Sequence, residues 1–321
     1  MTLLPVFGVR LKEDPVIEAK YREILRLSGD FCNSMLVYGN DAFNICTELR
    51  KGKERQSDHV LFSLMRHNIA FLDCIKVLLS NGCVEGCDPL LRSMIEANLK
   101  IMHVTEERHE LRALSLKLSI GMAIIKKYRK GDLSQPQGRE YEKELAGDAF
   151  LPGILKNLPP GLNDRADQLL QRIKNDPTFA PIFAEWSRVK QRYYSGSKDP
   201  EWYSLFGGAT PSRNMRELAK HFHWISVYES YYKGLSESVH AGNVLQRYAT
   251  ADDCIQPLRY PLGLASLLLK LFTLFLIGIQ KLGVFYKPEM EEQVSGFAVR
   301  VLHPEIERLV KRIEKDLGEF T

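Results

Sequence analysis

The sequence predicts an all-α fold, a large single-domain helical bundle with an irregular arm. Apolar residues recur three or four positions apart over most of the chain, and no sustained run of alternating β-branched residues occurs. Two of these apolar patterns begin at Asp-Pro pairs, Asp14-Pro15 and Asp88-Pro89. Such a pair places an N-cap before a proline at the first helical position, which is a typical start of a helix.

We predict one helical domain over 1–321, with an irregular arm at 131–160 and a docked loop at 195–211. The alternative is two helical lobes, 1–130 and 161–321. A chain that is 45% hydrophobic and 26% charged has the composition of a soluble protein with a full core. We favour one domain because the helical segments on the two sides of the arm are too few to need separate cores.

Four long helices are predicted before the arm. They cover 14–50 with interruptions, 57–80, 88–104 and a further segment that ends near Lys130. The turn residues Asn81-Gly82 end the second of these helices. In the fourth helix, the helical spacing directs four apolar side chains toward the core, namely Leu111, Leu114, Leu118 and Met122.

Glycines and prolines mark the arm, and helical patterns resume after it. Trp202 and Phe206 make the 195–211 loop too apolar for a free linker, so we expect it to dock on the helices. Pro304 is predicted to separate the last two helices. The helices predicted after the arm are 162–174, 178–193, 212–243, 252–282, 289–302 and 304–318.

The most apolar stretch of the chain is 260–282, and Lys270 divides it into two uncharged runs. Each run is shorter than the roughly 18 residues that a membrane span needs. A lysine at the bilayer centre also costs about 2.5 to 3.5 kcal/mol on insertion scales. We therefore predict a central helix of the bundle with Lys270 reaching to an edge. Membrane contact or an oligomer interface is the alternative.

Charge and cysteine content exclude several classes of protein. A net charge of +4 indicates neither a nucleic-acid nor a membrane partner by itself. The six cysteines form neither a disulfide framework nor a paired zinc signature, and no glycine-rich phosphate loop or His-Glu-x2-His motif occurs. The first ten residues lack the pattern of a signal peptide. These features predict a cytoplasmic protein without a metal or a cofactor.

Polar side chains follow one face of each of two otherwise apolar predicted helices. Arg92, Glu96 and His103 share a face of the earlier helix. The later helix carries Tyr228, Tyr232, Ser236, His240 and Asn243 in the same way. Because buried ionisable groups cost free energy unless they are paired, such stripes indicate either a structural network or a functional site.

Arg92 and Glu96 are four residues apart and surrounded by apolar positions, which predicts a buried ion pair. Such a pair serves either as a structural clamp or as part of a ligand site. Ser236 and His240 have the same spacing, but no Gly-x-Ser-x-Gly elbow presents the serine as a nucleophile. His240 therefore fits a proton-transfer group, a phosphate contact or a hydrogen-bonded core histidine better than a member of a serine hydrolase triad.

These motifs resemble a bacterial family of all-helical proteins that is known only as a domain of unknown function. The resemblance covers roughly residues 30–250. It implies an all-helical fold and a set of recurring polar positions, and it implies no activity. The residues that carry it are Leu91-Arg92, Glu96-Ala97, Trp202, Leu218-Ala219, Tyr228, Tyr231-Tyr232, Ser236 and His240.

A looser resemblance is to the HEPN-type helical ribonucleases of bacterial toxin and phage-defence systems. These enzymes use an arginine followed after four to six residues by a histidine, a spacing matched by Arg216 with His221 and with His223. The resemblance implies that arginine stabilises phosphorane charge and histidine moves the 2′-hydroxyl proton without a metal. Glu217 departs from the pattern, since those enzymes often place Asn, Asp or His after the arginine.

The leading functional hypothesis is a bacterial effector, of a toxin or defence type, that acts on RNA or another phosphodiester. Arg92, paired with Glu96, would hold the anion, and His240 would transfer a proton. Hydrogen bonds would come from Ser236 and Tyr232. Further substrate contacts are predicted for Tyr228, Asn243, Arg216 and His221.

The sequence leaves open whether the protein is an enzyme; if it is, a metal-independent ribonuclease is expected. RNA or a nucleotide is the predicted partner, and a homo-oligomer is a further one. One alternative is a non-catalytic interaction or oligomerisation module whose polar residues form a structural network. Another is a sensor of a small ligand that uses the same pocket.

Overall fold

Helices account for most of the residues that the computed structural model describes, and no β-strand occurs among them, so the all-α prediction is confirmed. The chain forms two compact units, one of residues 1–106 with 219–321 and one of residues 107–218. The single-domain and two-lobe divisions stay predictions. The described residues are 15–134, 136–144, 161–195, 198–208, 211–235, 263–288, 292 and 296–318.

The main helices are numbered here in chain order. They are α1 (Pro15–Arg50), α2 (Gln56–Ser80), α3 (Asp88–Thr105), α4 (His109–Gly131), α5 (Pro136–Glu144), α6 (Leu162–Asn175), α7 (Ala180–Tyr193), α8 (Met215–His221), α9 (Leu264–Tyr286) and α10 (His303–Leu317).

In the first unit, α1 packs against α2, α9 and α10, and α3 packs against α2 and α9. The helices bury large apolar side chains between them, including Phe31, Leu61 and Phe275. Phe275 lies so close to α1 that a Cβ atom on Gly39 would meet its ring at 2.5 Å. Only glycine therefore allows α1 and α9 to approach at this point.

In the second unit, α4 packs against α5, α6 and α7. Trp202 and Phe206 are buried, and Phe206 belongs to the apolar core of this unit. The buried Arg112 of α4 donates a hydrogen bond to the backbone carbonyl of Phe206 at 3.0 Å. The segment that carries these aromatic residues is thus held by apolar burial and by a charged donor. Residues 145–160 of the predicted arm lie outside the described residues.

Several predicted boundaries are wrong. The first helix runs without interruption over Pro15–Arg50. Pro304 does not separate two helices, because a π-helical turn at Ala298–Leu302 leads directly into α10. The chain stays helical across Pro304, where the hydrogen bonding changes from a π-helical to an α-helical pattern, and this change accommodates the missing N–H donor. Met122 is 42% exposed rather than buried.

The predicted helix over 212–243 is broken after α8. His223 adopts a left-handed conformation with φ 58°. The amide of His223 donates to the carbonyl of Lys220, and the amide of Trp224 donates to the carbonyl of Ala219. This pair of hydrogen bonds is a Schellman motif, which ends a helix and satisfies its last carbonyl groups. The chain resumes in a short helix at Ile225–Val227.

The helix predicted over 252–282 is described at Leu264–Tyr286 and ends later than predicted, and residues 252–262 lie outside the described ones. By length and composition α9 could cross a membrane, yet 56% of its most apolar window is buried inside the protein. Its contacts with α1, α2, α3 and α10 explain the apolar composition, because a core helix needs apolar residues on several faces.

A short chain of buried amides joins α2, α3 and α9. Asn68 donates from Nδ2 to Oδ1 of Asn98 at 2.8 Å, and Asn98 donates from Nδ2 to the carbonyl of Leu274 at 2.7 Å. Both asparagines are almost fully buried. Gly278 permits this arrangement, since a Cβ atom there would lie 2.5 Å from Oδ1 of Asn98. The amides therefore fix the register of three helices.

A buried carboxylate near the start of α2 makes a second connection between helices of this unit. The fully buried Asp58 accepts hydrogen bonds from Nε of Arg50 at 3.0 Å, from the amide of Arg55 at 2.7 Å and from the hydroxyl of Tyr286 at 3.0 Å. Burial, together with the negative charge of Asp58, raises the pKa of Tyr286. The carboxylate thus ties the ends of α1 and α9 to the start of α2.

Replacement of Gly278 by alanine tests the close approach of α9 to the amides. The added methyl group would collide with Asn98, so we expect Gly278→Ala to lower the free energy of unfolding by about 1–3 kcal/mol. Gly234 is the matched control because a Cβ atom there would meet nothing within 4 Å. Chemical denaturation should show no loss of stability for Gly234→Ala; equal effects of both substitutions would contradict the packing described.

Candidate functional site

Helix α3 presents the first polar side chains of the candidate site. It begins at Asp88, and proline at the next position fits the first turn. Apolar positions such as Leu91 and Ile95 are buried, while Arg92 and Glu96 lie on the other side of the helix. Their side chains are 23% and 32% exposed, so this ion pair is partly buried. The pair is accessible to solvent from the site.

The second contribution comes from a π-helical turn at Tyr228–Tyr232, which we call the tyrosine turn. It packs against α3. The rings of Tyr228 and Tyr232 are stacked, with centroids 4.9 Å apart and an angle of 20° between their planes. Because π-helical turns are rare and occur often at functional sites, this turn is a notable place for two predicted substrate-binding residues.

Tyr232 connects Arg92 with Glu96, and we call these three residues the polar cluster. The hydroxyl of Tyr232 donates to Oε1 of Glu96 at 2.9 Å and accepts from Nη2 of Arg92 at 3.2 Å. The Arg92 guanidinium also lies over the Tyr232 ring, 4.9 Å from its centroid. The direct Arg92–Glu96 contact is longer, at 3.6 Å. Tyr232 therefore orients the guanidinium through both its ring and its hydroxyl group.

The electrostatics of the polar cluster favour the neutral form of Tyr232. Burial raises the pKa of its hydroxyl, and the Glu96 carboxylate, which accepts its proton in a hydrogen bond, raises it further. Arg92 opposes this shift, since a cation that donates to the hydroxyl oxygen stabilises the phenolate. The net effect raises the pKa, so the tyrosine keeps the proton with which it holds Glu96.

The structure tests only part of the predicted set of site residues. It brings Arg92, Glu96, Tyr232 and Tyr228 together. Ser236, His240 and Asn243 lie outside the described residues, so their convergence on the cluster stays a prediction. His103 differs from the residues with which it shares a helix face, because it is buried.

Arg216 and His221, the residues of the HEPN-type spacing, both lie on α8 and are exposed. Nε2 of His221 lies 2.8 Å from Oε1 of Glu106. This carboxylate fixes the orientation of the imidazole ring, as an acid–base histidine requires. His223 has a structural position instead, since it provides the left-handed residue that ends α8.

A cavity of about 290 Å³ lies next to the tyrosine turn, and the sequence did not predict it. Lys270 of α9 and Tyr231 line it, with the Lys270 ammonium 5.0 Å from the centroid of the Tyr231 ring. The lone lysine in an apolar stretch was the available signal. Among the described residues, no group of three or more His, Cys, Asp or Glu side chains could hold a metal ion.

Comparison with known proteins matches the chain to a protein family. The model of a family of unknown function (DUF5677) matches residues 58–256, which is more than half of the chain. The matched region includes α3 and the tyrosine turn, and thus all members of the polar cluster. No curated protein and no solved structure matches the chain.

The raised pKa of Tyr232 predicts an alkaline loss of stability. In the unfolded chain tyrosine deprotonates near its ordinary pKa of about 10, whereas the folded state retains the proton to higher pH. The stabilisation is therefore complete below this pH and is lost as the pH rises through the folded pKa. We expect the free energy of unfolding to fall less between pH 9 and pH 11 in Tyr232→Phe than in the unaltered protein. Tyr231→Phe, which keeps Tyr232, should follow the unaltered protein; identical pH profiles of all three proteins would contradict the prediction.

Proposed function

Because the chain belongs to DUF5677, a family of unknown function, we propose its function from the polar cluster: it binds RNA or another phosphodiester. The observation that supports this proposal is the partly exposed Arg92 guanidinium, held in orientation by Tyr232. A guanidinium offers planar, paired donors that match phosphate oxygens, and fixing it in advance lowers the entropy lost on binding.

Arg92 has further N–H donors that can bind such a ligand. A guanidinium carries five N–H donors, and the described hydrogen bond to Tyr232 uses one of them. Glu96 lies at 3.6 Å from Nε, longer than a normal hydrogen bond, and accepts from Tyr232 instead. The carboxylate thus orients the arginine mainly through the tyrosine. A phosphate group would therefore contact an oriented Arg92 guanidinium, while the Glu96 carboxylate accepts its hydrogen bond from Tyr232.

The stacked tyrosines favour single-stranded RNA among the phosphodiesters. Bases stack on exposed aromatic rings, and each such contact is worth about 1–3 kcal/mol. Tyr228 and Tyr232 are both half-buried and form a pair of parallel rings beside the guanidinium. An aromatic surface next to a phosphate-binding cation is the combination that single-strand binders use.

Binding is tested by the fluorescence anisotropy of a labelled single-stranded RNA. We expect Arg92→Ala to raise the Kd by roughly tenfold or more, the equivalent of one charge-assisted hydrogen bond. Arg22→Ala is the matched control, since Arg22 is an exposed arginine of α1 paired with Glu18. The proposal is wrong if the unaltered protein does not bind RNA or if Arg92→Ala binds as tightly as the Arg22→Ala control.

The proposal extends to catalysis by a cytoplasmic bacterial effector of a toxin or defence type. His240 would remove the 2′-hydroxyl proton, and the 2′-oxygen would form a bond to the adjacent phosphorus. The bond from phosphorus to the 5′-oxygen would then break, and that oxygen would take up a proton. Arg92 would stabilise the negative charge on the phosphorane, with Ser236 and Asn243 as further hydrogen-bonding groups. No metal ion takes part in this step.

Cleavage is tested by incubating the RNA with the protein in the presence of EDTA. We expect cyclic phosphate ends in the products, and loss of cleavage in His240→Ala. His59→Ala, which changes an exposed histidine of α2, should cleave like the unaltered protein. Intact RNA after long incubation would leave binding without catalysis. Cleavage in His240→Ala together with loss in His221→Ala would move the proton transfer to the HEPN-type spacing.

A non-catalytic module is the second candidate function. Its support is that both hydrogen bonds of Tyr232 join the tyrosine turn to α3. A network that only fastens two elements needs no ligand. In that case Tyr232→Phe would lower the melting temperature, and the unaltered protein would show no RNA affinity. The two measurements together separate the structural role from the binding role.

A further inference from the structure

The cavity beside the tyrosine turn has walls of mixed character. Three segments of the chain line it, and they contribute apolar side chains such as Leu91 and Leu267. Four polar side chains also line it: Lys270, Asp88, Ser230 and Ser266. Its volume of about 290 Å³ lies just below the range of roughly 300–1,000 Å³ that is typical of pockets for drug-sized molecules. The cavity therefore suits a small ligand.

Lys270 is the feature of this cavity that most needs an explanation. It is half-buried in the most apolar helix of the first unit. Among the described residues it forms no ion pair, and its contact is with the face of the Tyr231 ring. A cation that is partly removed from water costs free energy unless an anion or an aromatic face compensates it. The ring compensates part of this cost, and an anionic ligand group in the cavity would compensate the rest.

Asp88 places a carboxylate on the same cavity. A ligand that carried only an anionic group would bring that charge toward Asp88 as well as toward Lys270. A ligand with both an anionic and a cationic group can place the anionic group at Lys270 and the cationic group at Asp88. Opposite charges then face each other at both residues. The hydroxyl groups of Ser230 and Ser266 can each donate or accept a further hydrogen bond.

We infer that this cavity binds a small zwitterion with an apolar body, of the class of α-amino acids with apolar side chains. Lys270 binds the carboxylate of the ligand, Asp88 binds its ammonium group, and the leucine-lined walls contact its side chain. This site is separate in its residues from the polar cluster, and it does not rest on the binding of RNA. Tyr231 and Tyr232 are neighbours in the tyrosine turn, so the two sites share one element.

Isothermal titration calorimetry on the full chain tests the site, with leucine and the other apolar amino acids as ligands. Two probes isolate the charges: 4-methylpentanoate lacks the ammonium group of leucine, and 3-methylbutylamine lacks its carboxylate. We expect at least one apolar amino acid to bind, and the two probes matched to it to bind roughly tenfold more weakly or worse. Binding of the acid, the amine or inorganic phosphate as tightly as the amino acid would overturn the inference, as would the absence of any amino acid binding.

Substitutions place the binding in the cavity. Lys270→Met keeps most of the apolar length of the side chain and removes its charge, so we expect roughly tenfold weaker binding or worse. Lys281→Met is the control, because Lys281 is an exposed lysine of the same helix. Asp88→Asn should abolish the preference for leucine over 4-methylpentanoate, and this second variant tests the site if Lys270→Met does not fold. Unchanged affinity in Lys270→Met, with its fold verified by circular dichroism, would overturn the assignment.

Discussion

The hydroxyl group of Tyr232 is the point on which the organisation of the candidate site depends. It donates a hydrogen bond to Glu96 and accepts one from Arg92, so a single oxygen atom holds an acidic and a basic side chain of α3 in fixed positions. The Tyr232 ring supports the same guanidinium from its face. Without this oxygen the arginine would keep the aromatic ring and a carboxylate at 3.6 Å, and neither contact constrains the direction of the guanidinium as a hydrogen bond does.

The tyrosine turn also supports a second cation, through the tyrosine that precedes Tyr232. Tyr232 supports Arg92 of α3, and its neighbour Tyr231 supports Lys270 of α9. Two cations from two helices thus each rest on an aromatic face of one short turn. The buried amides of Asn68 and Asn98, with Gly278 closely packed against them, fix α3 and α9 in register. The rigid core therefore determines where both cations lie relative to the turn.

The fold class and several helix boundaries could be predicted from the sequence because they depend on local patterns. The Asp-Pro pairs at 14 and 88 mark the observed starts of α1 and α3. The break after α8 could not be predicted in this way, since it depends on His223 in a left-handed conformation where a glycine is usual. Apolar spacing continues through the break, and spacing alone does not reveal a change in backbone direction.

Helical spacing, a local pattern, also allowed part of the contact between the two polar stripes to be predicted. Helical spacing placed Arg92 and Glu96 on one face and Tyr228 and Tyr232 on another, and these faces meet. Spacing could not predict the exposure of the Arg92 and Glu96 side chains, because this exposure depends on how much of α3 the tyrosine turn covers. It also could not reveal the cavity at Lys270, because three segments distant in sequence must pack before that space exists.

A double-mutant cycle on RNA affinity tests the central claim, that Tyr232 acts by positioning Arg92. The four proteins are the unaltered chain, Arg92→Ala, Tyr232→Phe and the double variant. The account predicts that Tyr232→Phe weakens binding in the unaltered chain and has no further effect once Arg92 is alanine. Equal losses from Tyr232→Phe in both backgrounds would show that the two residues act independently, and this would contradict the account.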